Sequence, residues 1–335
     1  MDREQEEMQF LGLFGIYKES CKVIYSYWKI FAKITLSLIL PLSFIFLAYI
    51  EVSNLIQRKI IFTEIHRDFT PVGTSRYHRL SDLLSKERTY FILFTVVYFT
   101  FYLILSLLST SAVVYTVACI YTGCDLTFRK VMTVVPKVWK RLMMTFLCIF
   151  IATIACIVAA TLVFVSIVYF LRDTAAVVPL FFICLFLFIV GFIYLSIVWY
   201  LACVVSVLEE SYGLKAMMKS RQLIRGKLII TMVIFFKLNL SCLLVRYAFQ
   251  MLVVDGRWRL VPMVDRVSYA ILCFLVLSML NLFGLVIQTV IYFVCKSYHH
   301  ENIDKMELSN HLEVYLLAEY VPLKGEDVQL EEYRV

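Results

Sequence analysis

The sequence predicts an all-α, polytopic membrane protein with six transmembrane helices, and three observations support this fold class. Of the 335 residues, 61% are hydrophobic and only 17% are charged, whereas soluble domains carry about 25% charged residues. Six apolar runs reach or exceed the roughly 20 residues that a helix needs to cross a bilayer. Basic stretches alternate with less basic loops between these runs. An ordinary soluble domain is therefore excluded.

The six predicted spans follow from the apolar runs taken in order. They cover about residues 30–50, 90–121, 142–171, 177–208, 228–254 and 268–295. Pro41 is expected to kink the first span, because proline removes a helical hydrogen bond and clashes with the preceding turn. The polar segment 51–88 is predicted to be a long loop, with a turn at residues 70–74 and a helix N-cap at Ser81 or Asp82.

Two regions follow from this division of the chain. Residues 1–295 form a six-span membrane domain, and residues 296–335 form an acidic tail. A short helix is predicted in the tail, where Asn310 and Glu313 resemble a capping pair. The tail is therefore expected to offer a surface to a protein partner.

Three juxtamembrane amphipathic helices are predicted beside the spans, beginning near residues 10, 122 and 211. In the second, Val131, Val134 and Val138 share one face, and Pro136 is expected to divide the segment from the helix that continues inward. Each surface helix precedes two spans joined by a loop. The chain is therefore interpreted as three divergent repeats, each a surface helix followed by a helical hairpin.

The third basic segment, residues 213–227, carries five positive charges and no negative one. A basic helix joined to a span is expected to lie along a membrane surface, where each basic residue contributes about 1 kcal/mol to contact with anionic lipid. The predicted lipid contacts are Lys215, Lys219, Arg221, Arg225 and Lys227. Since the basic residues lie beside apolar spans, anionic headgroups are the expected partner and nucleic acid is not.

The distribution of basic residues predicts the orientation of the chain. The side that holds both termini carries 19 Lys and Arg residues, the opposite side carries 11, and two lie within the fifth span. The positive-inside rule then places both termini in the cytoplasm. The expected location is the endoplasmic reticulum or the plasma membrane.

Four polar residues within the predicted spans form a candidate intramembrane site: Lys237, Asn239, Asn281 and Gln288. A lysine as deep as Lys237 costs about 2.5–3.5 kcal/mol to insert. It is either a site for an anionic solute or headgroup, or a cation that packs against carbonyls or reaches the interface. The amides are likewise either an interhelical seam or part of a solute path. The apolar runs after Glu51 lack Asp and Glu, which disfavours an ion-coupled transporter.

The sequence contains no motif for catalysis, a cofactor or a metal centre. It has no P-loop, dinucleotide fingerprint or nucleophile elbow. Its ten cysteines lack zinc spacing. Cys295 is a candidate for palmitoylation, with an unmodified buried thiol as the alternative. His299 and His300 are expected to be solvated, and the protein is not expected to be an enzyme.

Two groups of residues resemble known families. Residues 292–301, Tyr-Phe-Val-Cys-Lys-Ser-Tyr-His-His-Glu, resemble a family of uncharacterised plant six-span transmembrane proteins. The same holds for residues 10–12, 15–20, 40–44, 304–305 and 311–316. Some members of that family are labelled as binding partners of a polyadenylate-binding protein. A second motif is similar to one in bacterial six-span membrane domains, including the membrane part of some glycerophosphodiesterases. It consists of Ala216, Ser220, Leu223, Gly226 and Lys227. These resemblances imply a plant source, a helical membrane fold and no established activity.

Two functional hypotheses follow. The first is a non-catalytic integral membrane protein that organises a bilayer or recruits partners through its cytoplasmic helices and tail. The alternative is a transporter or channel for a small anionic solute or lipid, with Lys237 facing its path.

Overall fold

The computed structural model describes residues 8–124, 126–170, 177–257 and 262–299, and these residues are almost entirely helical. The α-helices in chain order are α1 Leu13–Ser26, α2 Trp28–Ile34, α3 Leu40–Asp68, α4 Ser75–Thr122, α5 Phe128–Phe170, α6 Val177–Leu208, α7 Leu214–Leu223, α8 Leu228–Phe249 and α9 Met263–Tyr298. The acidic tail beyond residue 299 and the joint at residues 171–176 lie outside the described residues.

Six helical segments are long and apolar enough to cross a bilayer, which confirms the six predicted spans. They cover residues 28–68, 75–122, 128–169, 178–208, 228–254 and 263–298. The first combines α2 and α3, and the fifth is α8 with a π-turn at Gln250–Val254. Each predicted span falls within one of these segments or ends within two residues of it, but four of the segments are longer than predicted.

The predicted long loop at residues 51–88 is wrong. Helix α3 continues to Asp68, α4 begins at Ser75, and only residues 69–74 connect them. The predicted turn lies there, with Gly73 at φ 91°. The N-cap is Thr74, whose Oγ1 accepts from the amide of Tyr77 at 3.3 Å, rather than Ser81 or Asp82.

Charged residues of this polar segment pair across the two helices. The Lys59 ammonium lies 2.9 Å from the Glu87 carboxylate, and Arg88 lies 2.8 Å from Glu64. Nearer the bundle, the rings of Tyr49 and Tyr98 stack with centroids 3.8 Å apart. The charges that suggested a loop therefore pair across two long antiparallel helices.

The predicted division at Pro136 is also wrong, because α5 runs unbroken from Phe128 to Phe170 with Pro136 inside it. An internal proline costs about 3 kcal/mol or more. The predicted face of Val131, Val134 and Val138 is fully buried and continues into Leu142. Burial of such side chains contributes about 1.5–3 kcal/mol each, which offsets the cost of the proline. The second surface segment is thus continuous with the helix that contains the predicted third span.

The first span is irregular immediately before Pro41. A π-turn occupies Thr35–Ile39, between α2 and α3. Because proline supplies no amide hydrogen, the preceding turn has to rearrange, and π-turns are a recognised cause of bending in helices. The irregularity lies where the kink was predicted.

Helix α9 forms the centre of the molecule. Every residue from Val286 to Cys295 is buried, and α9 packs against α1, α4, α6 and α8. A smaller apolar cluster, which includes Leu47, Phe249 and Leu277, lies where α3, α8 and α9 meet. The outer faces of the long helices carry exposed apolar side chains, as on α6 at Phe182, Phe186 and Leu187, which suits contact with lipid.

Candidate functional site

All six spans contribute residues to one cavity of about 470 Å³. Its walls are mainly aliphatic and aromatic, and the amides Asn239, Asn281 and Gln288 lie among them. None of the described lining residues is Asp, Glu, Lys, Arg or His. The structure thus brings three of the four predicted intramembrane residues to one uncharged site.

Gln288 connects the sixth span to the fourth. The side chain is 3% exposed, and its Nε2 donates a hydrogen bond to the carbonyl of Tyr200. A backbone carbonyl only accepts, so this contact fixes which end of the amide is nitrogen. The amide oxygen therefore lies at the other end of the group.

Asn281 connects the sixth span to the first. Its Nδ2 lies 3.1 Å from the hydroxyl of Ser43, which is fully buried. The two residues are 238 positions apart in the chain, so this contact joins the start of the membrane domain to its end. The predicted interhelical role of this amide is present in the structure, although its partner is Ser43.

Asn239 lies at the edge of the cavity. It is exposed on the bundle surface and also lines the cavity. Its Nδ2 donates to the carbonyl of Phe235 one turn earlier at 2.9 Å. Tyr200 on α6 likewise lines the cavity while 43% exposed. The cavity therefore reaches the outside of the bundle between α6 and α8.

Lys237 lies outside this cavity, although it was predicted with the amides. The residue is exposed on α8 and is not part of the described lining. Residues two apart on a helix point in nearly opposite directions. Lys237 and Asn239 therefore lie on different faces at the same depth, which the sequence spacing itself could have indicated.

Trp199 is a lining residue that sequence reasoning missed. It is 8% exposed, and its indole nitrogen has no hydrogen-bond acceptor among the described residues. Buried donors nearly always have a partner, so an unpaired one in a cavity wall needs an explanation. A tryptophan in an apolar run gives no sequence signal of this kind.

Two of the lining hydroxyl groups are used within their own helices. Thr110 donates to the carbonyl of Ser106 at 2.9 Å, and Ser196 donates to that of Phe192 at 2.8 Å. Such bonds to the preceding turn satisfy a hydroxyl without a tertiary partner. The amides and the hydroxyls of Tyr102, Ser106 and Tyr200 are therefore the lining groups that can still bond a ligand.

The predicted lipid-contact residues on and after α7 divide into two groups. Lys219 pairs with Glu209 at 2.7 Å, and the Lys227 ammonium lies 5.4 Å from the centre of the Tyr298 ring. Lys215, Arg221 and Arg225 are exposed. The opposite face of α7 is buried, and Ser220 on that face donates to the carbonyl of Val198 at 2.7 Å.

The end of α9 is fastened to the turn between α7 and α8. His299 Nε2 lies 3.1 Å from the carbonyl oxygen of Leu223 and 2.9 Å from that of Arg225. The Tyr298 ring packs on Gly226, which has φ 96°. The two motifs that resembled different families therefore contact each other.

An ion-pair cluster centred on the Glu209 carboxylate lies beside this contact. Glu209 pairs with Lys219 and, at 3.6 Å, with Lys296, and accepts a hydrogen bond from the Tyr292 hydroxyl at 2.6 Å. Cys295, the candidate for palmitoylation, is fully buried. Within the described ranges, no group of three His, Cys, Asp or Glu is placed to hold a metal ion.

Comparison with known proteins identifies one family. Residues 1–333 match the family described as a domain of unknown function, DUF8558. No curated protein and no solved structure gives a significant match to the chain. The match covers nearly the whole sequence, including the cavity and the contact between Gly226 and Tyr298.

Proposed function

The chain belongs to the DUF8558 family, and we propose that it is a non-catalytic integral membrane protein that binds an uncharged lipid between its six spans. One observation carries this proposal. The cavity is built from all six spans and has no charged side chain in its described lining. A membrane-organising protein and a lipid transporter would both use such a site.

The size and chemistry of the cavity favour a lipid over an anionic solute. Ligand sites typically measure about 300–1,000 Å³ and combine apolar walls with a few polar groups, and the cavity of about 470 Å³ matches this. A buried anion without a counter-charge costs several kcal/mol, and Lys237 lies outside the lining. Of the two ligand classes expected from the sequence, the lipid therefore fits better.

We place the entrance for lipid between α6 and α8. Tyr200 and Asn239 line the cavity and are also exposed at this boundary. The Tyr200 ring stacks on Phe235 with centroids 5.1 Å apart. A lipid tail would pass these aromatic rings directly from the surrounding bilayer.

The surface helices support a second lipid contact at anionic headgroups. Around α1, Phe14, Tyr25 and Trp28 are exposed, and aromatic rings are common at membrane interfaces. On and after α7, Lys215, Arg221 and Arg225 are exposed, and basic residues attract anionic headgroups. We propose that these helices lie on the cytoplasmic surface.

Several finer features of the proposal rest on sequence patterns. They are cytoplasmic termini, an endoplasmic reticulum or plasma membrane location, a plant source, and descent from three helix-plus-hairpin repeats. The proposal that the tail binds a protein partner rests on sequence patterns as well. These features concern where the lipid-binding bundle works, and none of them is needed for the cavity to bind lipid.

Cavity binding is tested with a photoreactive long-chain alcohol added to the full chain in phosphatidylcholine nanodiscs. We expect labelled peptides from the cavity wall, mapped by mass spectrometry. Gly284→Phe should reduce this labelling to background while the protein stays folded, because Gly284 lines the cavity and a Cβ there meets no atom within 4 Å. The phenylalanine ring would then occupy the ligand's space.

Two variants serve as controls. Gly191→Phe adds the same ring at an exposed α6 position that also has no atom within 4 Å, and Lys237→Met changes a residue outside the lining. Both should keep the labelling. Unchanged labelling in Gly284→Phe would refute a lipid site in the cavity. Loss in Lys237→Met alone would instead favour a solute path along Lys237.

A further inference from the structure

We propose that the cavity selects lipids that carry a free hydroxyl group, such as single-chain alcohols, sterols or diacylglycerols, over lipids that lack one. This inference rests on the proposed lipid binding and adds the chemical class of the ligand. It follows from the orientation of the amide groups in the cavity wall.

The amide nitrogens are already engaged. Gln288 Nε2 donates to the carbonyl of Tyr200, Asn239 Nδ2 to that of Phe235, and Asn281 Nδ2 contacts the Ser43 hydroxyl. Two of these three partners are backbone carbonyls, which only accept. The positions of the Gln288 and Asn239 oxygens are therefore determined by the hydrogen bonds.

The Gln288 oxygen remains available as an acceptor. No donor among the described residues reaches it, and it is not a fully buried atom without a partner. It therefore keeps accessible surface. Because Gln288 as a whole is 3% exposed and lines the cavity, the accessible surface of its oxygen faces the cavity.

The amide oxygens set one requirement on the ligand, which is a group that can donate a hydrogen bond. A hydroxyl donates one hydrogen bond and can be uncharged. A carboxylate only accepts and is charged, so it would meet these oxygens unfavourably. A methyl ether has the same shape as the alcohol but no hydrogen to donate. An uncharged hydroxyl is therefore the simplest complement to this wall.

Trp199 supplies a second, independent observation. Its indole N–H lies buried in the same wall with no acceptor in the described part of the chain. A hydroxyl oxygen accepts as well as donates. A ligand hydroxyl is therefore chemically suited to both kinds of polar group in this wall.

Competition against the photoreactive alcohol tests the inference. Hexadecanol, its methyl ether and hexadecanoate are added in turn, together with the photoreactive alcohol and before irradiation, to the full chain in nanodiscs. One hydrogen bond is worth about a tenfold difference in affinity. We therefore expect hexadecanol to compete about tenfold better than the methyl ether, and hexadecanoate to compete worse than hexadecanol.

Two variants should reduce this preference, measured as the ratio of the alcohol and ether concentrations that halve the labelling. Because the probe is itself an alcohol, its own labelling should weaken in both. Gln288→Leu removes the most buried acceptor. Asn239→Leu is the variant that preserves packing, since Asn239 bonds only within its own helix in the described structure. In each, the advantage of the alcohol over the ether should fall, and in Gln288→Leu it should nearly vanish.

Different experimental results would contradict lipid binding and hydroxyl recognition. Equal competition by alcohol and ether, with labelling still in the cavity, would overturn hydroxyl recognition and leave lipid binding intact. Absence of cavity labelling with any probe would overturn lipid binding itself. Stronger competition by hexadecanoate would overturn the hydroxyl assignment and favour an anionic ligand.

Discussion

Gly226→Ala is expected to lower the free energy of unfolding by about 2 kcal/mol, most of it backbone strain. A non-glycine residue in the left-handed region costs about 1–2 kcal/mol, and Gly226 has φ 96°. In addition, a Cβ built there lies 2.9 Å from Tyr298 Cζ and closer still to Cε1. The Tyr298 ring has to shift, but because this side chain is 41% exposed, the shift adds only a small cost. Thermal unfolding in detergent measures the combined loss.

Two further variants separate the contributions at Gly226. Gly73 has a similar φ of 91° but meets no atom within 4 Å of a built Cβ, so Gly73→Ala should show only the backbone strain. Adding Tyr298→Ala to Gly226→Ala should recover the part due to the ring. Equal losses for Gly73→Ala and Gly226→Ala would show that the Tyr298 contact does not contribute.

Glu209→Leu is expected to destabilise the protein by about 2–3 kcal/mol, because breaking a buried ion pair leaves desolvated partners. The Glu209 side chain is 12% exposed and contacts Lys219, Lys296 and the Tyr292 hydroxyl. The cost lies below the usual range for fully buried pairs, since the Lys219 side chain is 34% exposed.

Glu19→Leu provides the matched control. Glu19 pairs with Lys22 at 3.9 Å, and the lysine side chain is 72% exposed. Exposed pairs contribute about 0–1 kcal/mol, so this variant should change stability little. If Glu209→Leu destabilised the protein no more than Glu19→Leu, the ion-pair cluster centred on Glu209 would not hold α7 and α9 together.

The spans could be predicted from the sequence because hydropathy reports on the bilayer, which acts on each helix separately. The fourth span was predicted with the same bounds that α6 has, Val177–Leu208. The helices through residues 51–88 could not be predicted in this way. Their charges pair across two helices, as Lys59 does with Glu87, and such pairing depends on tertiary structure.

The cavity was predicted only in part. Asn239, Asn281 and Gln288 were singled out because amides are rare and costly in spans. The spacing of Lys237 and Asn239 places them on different faces, but which of the two faces the cavity, and the convergence of the amides, depend on how α8 and α9 are rotated about their axes. Trp199 gave no signal, since a buried indole N–H is unusual only once its surroundings are known.

A cryo-electron microscopy structure of the full chain in lipid nanodiscs tests the central claim most directly. We expect elongated density for one lipid molecule within the cavity between the six spans. Its polar end should lie about 3 Å from the amide oxygen of Gln288 or Asn281, the distance of a hydrogen bond. A cavity closed by packed side chains, with no lipid density beside Gln288, would contradict the account.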